Sequence, residues 1–558
     1  MSKFGIYFHT LRHLRPTQIL GIAIKRVIYV RRRVGRISAP ETRGIIFAAA
    51  PIAPPVLSQD LVSGVEFLNR RVAFEKGRID WRSASLPKLW RYNLHYFDYL
   101  FWPAATDDRK GALIDSWVAS NPVGAEDAWE PYTVSLRLVN WIKYFSRDVV
   151  AAKVPAGWIR SLVLQAAWLE RNLETHILAN HYLKNAKALV FAGAFFGGEA
   201  AERWRSRGAA IFSEQVDEQF MASGAHYELS PMYHCICVED LLDVLNLAQG
   251  NRALFSEGFI DQVRSVARRG LDFLAGILMP DGRIPLFNDS AFGIAPESAT
   301  LFDYAARLFD YVVPVDPANS FPDAGYFVLG DAADRLVVDC GPVSPSYQPG
   351  HTHCDMLSYE LALDGRRLVV DAGVHDYENS ESRRYCRGTV AHNTVSVDGA
   401  EQSELWGVFR VARRARPVSA ELRKRGDGGA TFEGEIAGFP GVSGDIRHRR
   451  TIEHSAAGNW TVTDNILGEG RHRLDSRIHF HPECRLRRDG DAYVVEDESG
   501  LERARVELFG ADAAEVMEGW HYPEFGKAQY NEILCLTWDG DLPATFGYRI
   551  RRAVGVIG

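Results

Sequence analysis

The stretch GHTHCDMLSYELALDGRRLVVDAG, residues 350–373, lies where the character of the chain changes. Its second half is two short β-prone runs around an Asp-Gly pair, the sequence signature of a tight hairpin. Runs of the same kind stand on both sides of it: GYFVLG, RLVVDCG, HNTVSVDG and NWTVTDNILG. From about residue 325 to the end the sequence therefore reads as antiparallel sheet, folded as a large sandwich. The first half of the stretch differs in kind, with His351 and His353 one residue apart. If that segment is extended, period-two geometry puts both imidazoles on one side. Both then serve one metal, or one serves a metal while its neighbour faces a cleft; spacing alone leaves the choice open.

Upstream the period is helical. In GWIRSLVLQAAWLERNLE the apolar residues Ile159, Leu162, Val163, Ala166, Leu169 and Leu173 recur at three- and four-residue steps. NHYLKNAKALVFAGAFF continues through Leu183, Ala186 and Val190, with Asn180 as a candidate N-cap. VEDLLDVLNLAQG repeats the pattern and stops at Gly250. Successive amphipathic helices imply an all-α domain of stacked hairpins. The expected division is a basic extension over 1–50, a helical domain over 51–323 and a β domain over 324–558, with PDAG before Tyr326 at the boundary.

Bulk properties exclude several classes. A chain of 558 residues, 46% hydrophobic and 24% charged, buries a large core without disulfides. A net charge of −7, with no block of like charge near the candidate chemistry, gives no support for nucleic-acid binding. The seven cysteines form no CxxC pair, which argues against a zinc finger and against a disulfide framework. The apolar runs of the basic N-terminus are too short to span a membrane, and no secretory cleavage pattern follows them. A cytoplasmic protein is the expectation, its N-terminus a packed or solvated helix in preference to a membrane-surface one. Oligomeric state is left open.

Three clusters carry residues suited to chemistry: LANHYLKNAK, GAHYELSPMYH, and the opening stretch together with RRYCRGTVAHNTV. Each residue has an ordinary alternative, such as Asn180 capping a helix or His392 satisfied in a turn. His353, Asp371 and His392 together form a His₂Asp set suited to zinc. A cupin-type metal motif is disfavoured, because Glu360 stands too far from His353 and Asp355 too near.

Taken in order, LPKLWRYNLHYFDYL, DAWEPYTVSLRLVNWIKYF, ANHYLKNAKAL, ELSPMYH, GHTHCD and RGTVAHNTV resemble the heparinase II/III-like polysaccharide lyases, a superfamily that includes heparinase III and oligoalginate lyases. The resemblance implies an α+β chain: an incomplete α/α toroid followed by an antiparallel β-sandwich, with the cleft between them. It implies β-elimination on a uronate-containing glycan, either glycosaminoglycan-like or an alginate or bacterial exopolysaccharide; the rival reading is a non-catalytic glycan-binding protein on the same scaffold. It implies Asn180, assisted by His181 and His351, for neutralising the uronate carboxylate, and Tyr233 for proton transfer. His351 is the implied base in one substrate stereochemistry, and Tyr233 is both base and acid in the other. Arg137, Tyr227, Glu228, Tyr385 and Arg387 are the expected substrate-binding residues. His353, Asp371 and His392 are the expected ligands of a structural divalent metal, zinc being usual.

Overall fold

The computed structural model describes residues 3–27, 41–52, 59, 61–74, 78–147 and 154–553; residues 28–40 of the basic extension lie outside the described residues. Helices dominate up to Ser298–Phe309, and strands dominate from Ser320–Phe321 onward. Two local elements break the division. A β-hairpin, Gly64–Phe67 with Arg70–Ala73, stands among the helices, and a short helix, Glu381–Arg387, stands among the strands.

The helices are those the periodicity marks. Ala156–Arg171 buries Leu162, Val163, Ala166 and Leu169 on one face. Ala179–Phe195 is buried almost all round, which its run of Ala, Leu, Val and Phe permits. Trp117, Trp141 and Trp204 are fully buried in the same apolar core. Burying each such side chain contributes roughly 1.5–3 kcal/mol before chain entropy is counted.

The β half holds three main antiparallel sheets of eight, five and four strands. The hairpin expected at Asp364-Gly365 forms between Tyr359–Leu363 and Arg366–Val369, both turn residues having positive φ (53° and 76°). Along Trp460–Leu467 burial alternates residue by residue, turning Trp460, Val462 and Ile466 inward. One apolar core joins this eight-stranded sheet to Phe327, Leu336 and Val338 of the five-stranded sheet and to Ile478, Leu534 and Leu536 of the four-stranded one. Among the described residues no helix is long and apolar enough to cross a membrane.

The two halves are bolted together beside the residue 350 region. Leu229, with φ +54°, presents its carbonyl to Tyr326 Oη at 2.7 Å and to Asn288 Nδ2 at 2.9 Å. Ser230 Oγ donates to the Asp289 carbonyl at 2.7 Å. The Tyr326 contact ties the start of the helix Pro231–Gly250 to the β half, and Asn288 and Asp289 brace it from the loop before Ser298–Phe309.

Candidate active site

A cleft of about 1020 Å³ runs between the helical half and the loops of the sandwich. Asn180, His181, Glu228 and Tyr233 line it from the helices; His351 and Tyr377 line it from the β half.

On the helical side Asn180, His181 and Tyr233 leave the first turns of two helices, and Glu228 lies just before the second. Ser230 caps Pro231–Gly250 by accepting from Tyr233 N, with Pro231 in the first turn. Tyr233 therefore stands one turn in, facing the cleft. Asn180 is not the cap that its position suggested: Leu178 occupies the N-cap with φ +66°. The buried Asn180 amide instead donates to both oxygens of Glu228, at 3.1 and 2.9 Å, and its own carbonyl oxygen has no protein partner. His181 Nδ1 meets Glu174 Oε1 at 3.2 Å, and its ring lies 4.3 Å from that of Tyr132. Burial opposes the charged imidazole of His181, but Glu174 prevails and raises its pKa.

The sandwich side is built differently. Residues 346–357 form no strand, so period-two geometry does not apply to His351 and His353. They nevertheless converge on one carboxylate. His351 Nδ1 donates to Asp289 Oδ2 at 2.9 Å, and His353 Nε2 donates to Asp289 Oδ1 at 2.8 Å. The Arg383 guanidinium grips both oxygens of Asp289. Burial alone would push Asp289 up, but Arg383 and the two histidines hold it well below the usual carboxylate range. The His351 ring stacks on Tyr233 at 3.8 Å between centroids, and Tyr233 Oη lies 3.3 Å from Tyr377 Oη. Burial, reinforced by Tyr377 and Asp289, pushes the Tyr233 phenol well above its ordinary range, so it carries its proton.

Behind His351, the donor atoms of buried His353, Asp355 and His392 lie within 4.8 Å of one another, a spacing that could hold a metal ion. His353 Nδ1 and His392 Nε2 are buried without hydrogen-bond partners, while the opposite nitrogen of each ring is fixed by a carboxylate. That is the pattern of metal-binding imidazoles held by outer-shell acids. Asp371, expected as a ligand, is the outer acid here: its Oδ2 accepts from His392 Nδ1 at 2.7 Å. Asp355 takes the ligand position, reaching it from the loop that carries His353. Burial pushes the Asp355 carboxyl up to about 6, with Asp371 adding to the effect and His392 opposing it. Burial pushes His353 down to about 3, leaving a neutral imidazole.

Of the expected substrate-binding residues, only Glu228 lines the cleft. Arg137 is fully buried, bonded to Gln165 and the His95 carbonyl and stacked on Trp117. Tyr227 spends its hydroxyl on Tyr347 Oη at 2.8 Å. Arg387 donates to the carbonyls of Thr352, Gly407, Val408 and Arg410, tying two loops together. Tyr385 packs beside Tyr522 outside the cleft lining. Asp289, Arg383 and Tyr377 escaped the sequence reading. Arg383 and Arg387 are four apart on one helical turn, a spacing that would have paired them; nothing near FNDSAFG singles out Asp289.

Lys143, Lys184, Lys187 and Asp243 also line the cleft; the three lysines are largely buried and pair with Asp240 or Asp243 at 2.5–2.8 Å. Burial works against the charged form of Asp243, yet Lys143 and Lys187 hold its pKa at about 2.

Comparison with known proteins fits this geometry. Residues 66–310 match the heparinase II/III N-terminus, and residues 313–549 match the heparinase II/III-like C-terminal region. A heparin-sulfate lyase of Bacteroides stercoris is 22% identical over 444 residues, covering 73% of this chain and 62% of the relative. One from Pedobacter heparinus is 25% identical over 353 residues, covering 55% of this chain and 52% of the relative. The chain thus aligns with little more than half the length of these curated relatives. An alginate lyase of Stenotrophomonas maltophilia is 27% identical over 144 residues, 24% of this chain and 19% of that protein. A crystal structure of heparinase III shares the fold with a TM-score of 0.67 at 19% identity, covering 86% of this chain and 79% of that one.

Proposed function

The chain belongs to the heparinase II/III-like family, and from that premise we propose that it cleaves a uronate-containing polysaccharide by β-elimination. The observation that carries the proposal is the pairing of Tyr233 with His351 in one cleft, the two rings stacked and each held from behind. Elimination needs a base for the weakly acidic proton at C5, a donor for the departing oxygen at C4, and relief of charge on the carboxylate. Because Asp289 accepts from His351 Nδ1, the Nε2 lone pair is left to act as the base. The protonated Tyr233 phenol supplies the leaving oxygen with its proton. Relief of charge on the uronate carboxylate falls to Asn180 and His181, which line the cleft side by side at the start of one helix. The Asn180 amide, donated here to Glu228, would turn from it to meet the substrate. Burial pushes Glu228 up, against the pull of His351 and Asn180, which reduces its repulsion of an incoming uronate.

Glycosaminoglycans such as heparan sulfate are the preferred substrates, because the longest alignments are to heparin-sulfate lyases. Alginate and bacterial exopolysaccharides are the alternative. A divalent metal on His353, Asp355 and His392, zinc on donor chemistry, would lock the loop that carries His351. The test is to incubate the protein with heparan sulfate, hyaluronan, chondroitin sulfate and alginate and follow ultraviolet absorbance of the unsaturated uronate. Saturable binding without any absorbance change would instead mark a glycan-binding module.

A further inference from the structure

The two N-terminal helices, Lys3–Leu11 and Pro16–Val27, are turned inside out relative to an ordinary surface helix. Phe4, Tyr7, Phe8 and Leu11 recur at i, i+3, i+4 and i+7, the spacing that normally faces a core. Here they face solvent, with exposures of 81%, 52%, 56% and 51%. Thr10, the polar residue on the opposite side, is buried. The second helix repeats the inversion: Gln18 is buried at 2%, while Ile19 and Leu20 are 48% and 61% exposed.

The inversion is enforced by polar anchors. Thr10 Oγ1 accepts from Trp406 Nε1 at 3.0 Å, and Gln18 Nε2 donates to the Tyr347 carbonyl at 3.2 Å. Arg15 pairs with Glu218 and lies over the Tyr347 ring. Thr10, Arg15 and Gln18 are thus committed to the protein body, and Phe4, Phe8, Leu11, Ile19 and Leu20 are held outward.

Charge identifies the occupant. Residues 3–27 contain five Lys or Arg and no Asp or Glu, on a chain whose net charge is −7. Nearby acidic groups are already matched, Glu218 by Arg15 and Glu404 by Arg413 at 2.9 Å. Protruding aromatic and aliphatic side chains in a purely cationic setting suit the boundary between anionic headgroups and acyl chains. Among the described residues neither helix is long and apolar enough to cross a membrane, and the attachment proposed is in the plane of the interface.

We propose that this outward face of the N-terminal helix pair is a docking surface for an anionic lipid bilayer. It would hold the protein on a membrane surface through the side chains of Phe4, Phe8, Leu11, Ile19 and Leu20. Such docking goes beyond the sequence expectation of a packed or solvated helix and takes up its less favoured alternative, a membrane-surface one. Leu14, Gln18 and Ile22 of this segment border the cleft, but the outward side chains are not among its lining residues, and docking there does not depend on which glycan is cleaved.

Co-sedimentation of the full chain with vesicles tests this. Binding to phosphatidylglycerol–phosphatidylcholine vesicles is expected to exceed binding to pure phosphatidylcholine by about tenfold or more, and to weaken with salt. The double variant Phe4→Glu/Phe8→Glu is expected to lose about tenfold or more of that binding with its melting temperature unchanged. Arg12→Glu is expected to weaken it less. Three outcomes overturn the proposal: no binding to the anionic vesicles, equal binding by the double variant, or a concentration-dependent dimer that the double variant abolishes while vesicles go unbound. The last would assign the face to a second copy of the chain.

Discussion

The two walls of the cleft reach the same end by opposite means. On the helical wall, Asn180 and Tyr233 stand in the first turns of two buried helices, so backbone geometry places them. On the sandwich wall, His351 lies in an irregular loop and is placed by charge: Asp289, clamped by Arg383, holds it and His353 at once. The first arrangement is intrinsic to the helices. The second holds only while a buried ionic web stays complete, and the donor group of His353, Asp355 and His392 adjoins that web. One wall is rigid by fold, the other by electrostatics.

The sharpest way to break this contrast is Asp289→Ala. It leaves the Arg383 guanidinium buried and unpaired and frees both histidines, so stability should fall by about 3–5 kcal/mol in urea unfolding. Lyase activity should disappear with it. Asn180→Ala attacks the other wall and should behave differently. The rate of unsaturated-product formation should drop about 10²–10³-fold, while stability falls by only about 1 kcal/mol. Equal destabilisation by the two variants would erase the distinction between the walls.

Chelation should come next in size. Removing a divalent ion from His353, Asp355 and His392 should lower the melting temperature by several degrees, and readdition of zinc should restore it. An Asp371→Asn variant, which keeps an acceptor for His392 Nδ1, should bind the metal more weakly yet still bind it; Asp355→Asn should reduce binding further. The smallest expected effect is on acid stability. The Asp243 pKa is depressed in the folded state to about 2, against about 3.9 unfolded. Its contribution is therefore complete above about pH 4 and lost as pH falls toward 2. Asp243→Asn should flatten that part of the stability–pH curve, read by circular dichroism, while lowering stability at neutral pH because Lys143 loses its carboxylate partner.

What could be read from the sequence follows the same divide. Helical periodicity over 156–195 and the Asp364-Gly365 hairpin were legible because local chemistry dictates them. Tyr233 was legible through the resemblance of ELSPMYH to the family and not through periodicity; its place in the first turn of Pro231–Gly250 comes from the fold. Asp289 was not, since its partners lie 62, 64 and 94 residues away and no local pattern links them. Asp355, not the expected Asp371, groups with His353 and His392 for a related reason. Sequence shows that a carboxylate is near, but only the fold shows which ring nitrogen each carboxylate meets. Arg137 and Arg387 misled because a lone arginine in a glycan-binding context suggests an acidic ligand. Here burial turns each into an internal tie to backbone carbonyls.

The account stands or falls on the Tyr233–His351 pair. The most direct test compares the native protein with Tyr233→Phe on heparan sulfate, hyaluronan, chondroitin sulfate and alginate, following ultraviolet absorbance of the new double bond. The native protein should generate unsaturated uronate from at least one of these polymers. The variant, folded and still binding that polymer, should be slower by about 10³-fold or more, the loss of its proton donor. An unchanged rate in Tyr233→Phe, or no double bond from any polymer with the native protein, would contradict it.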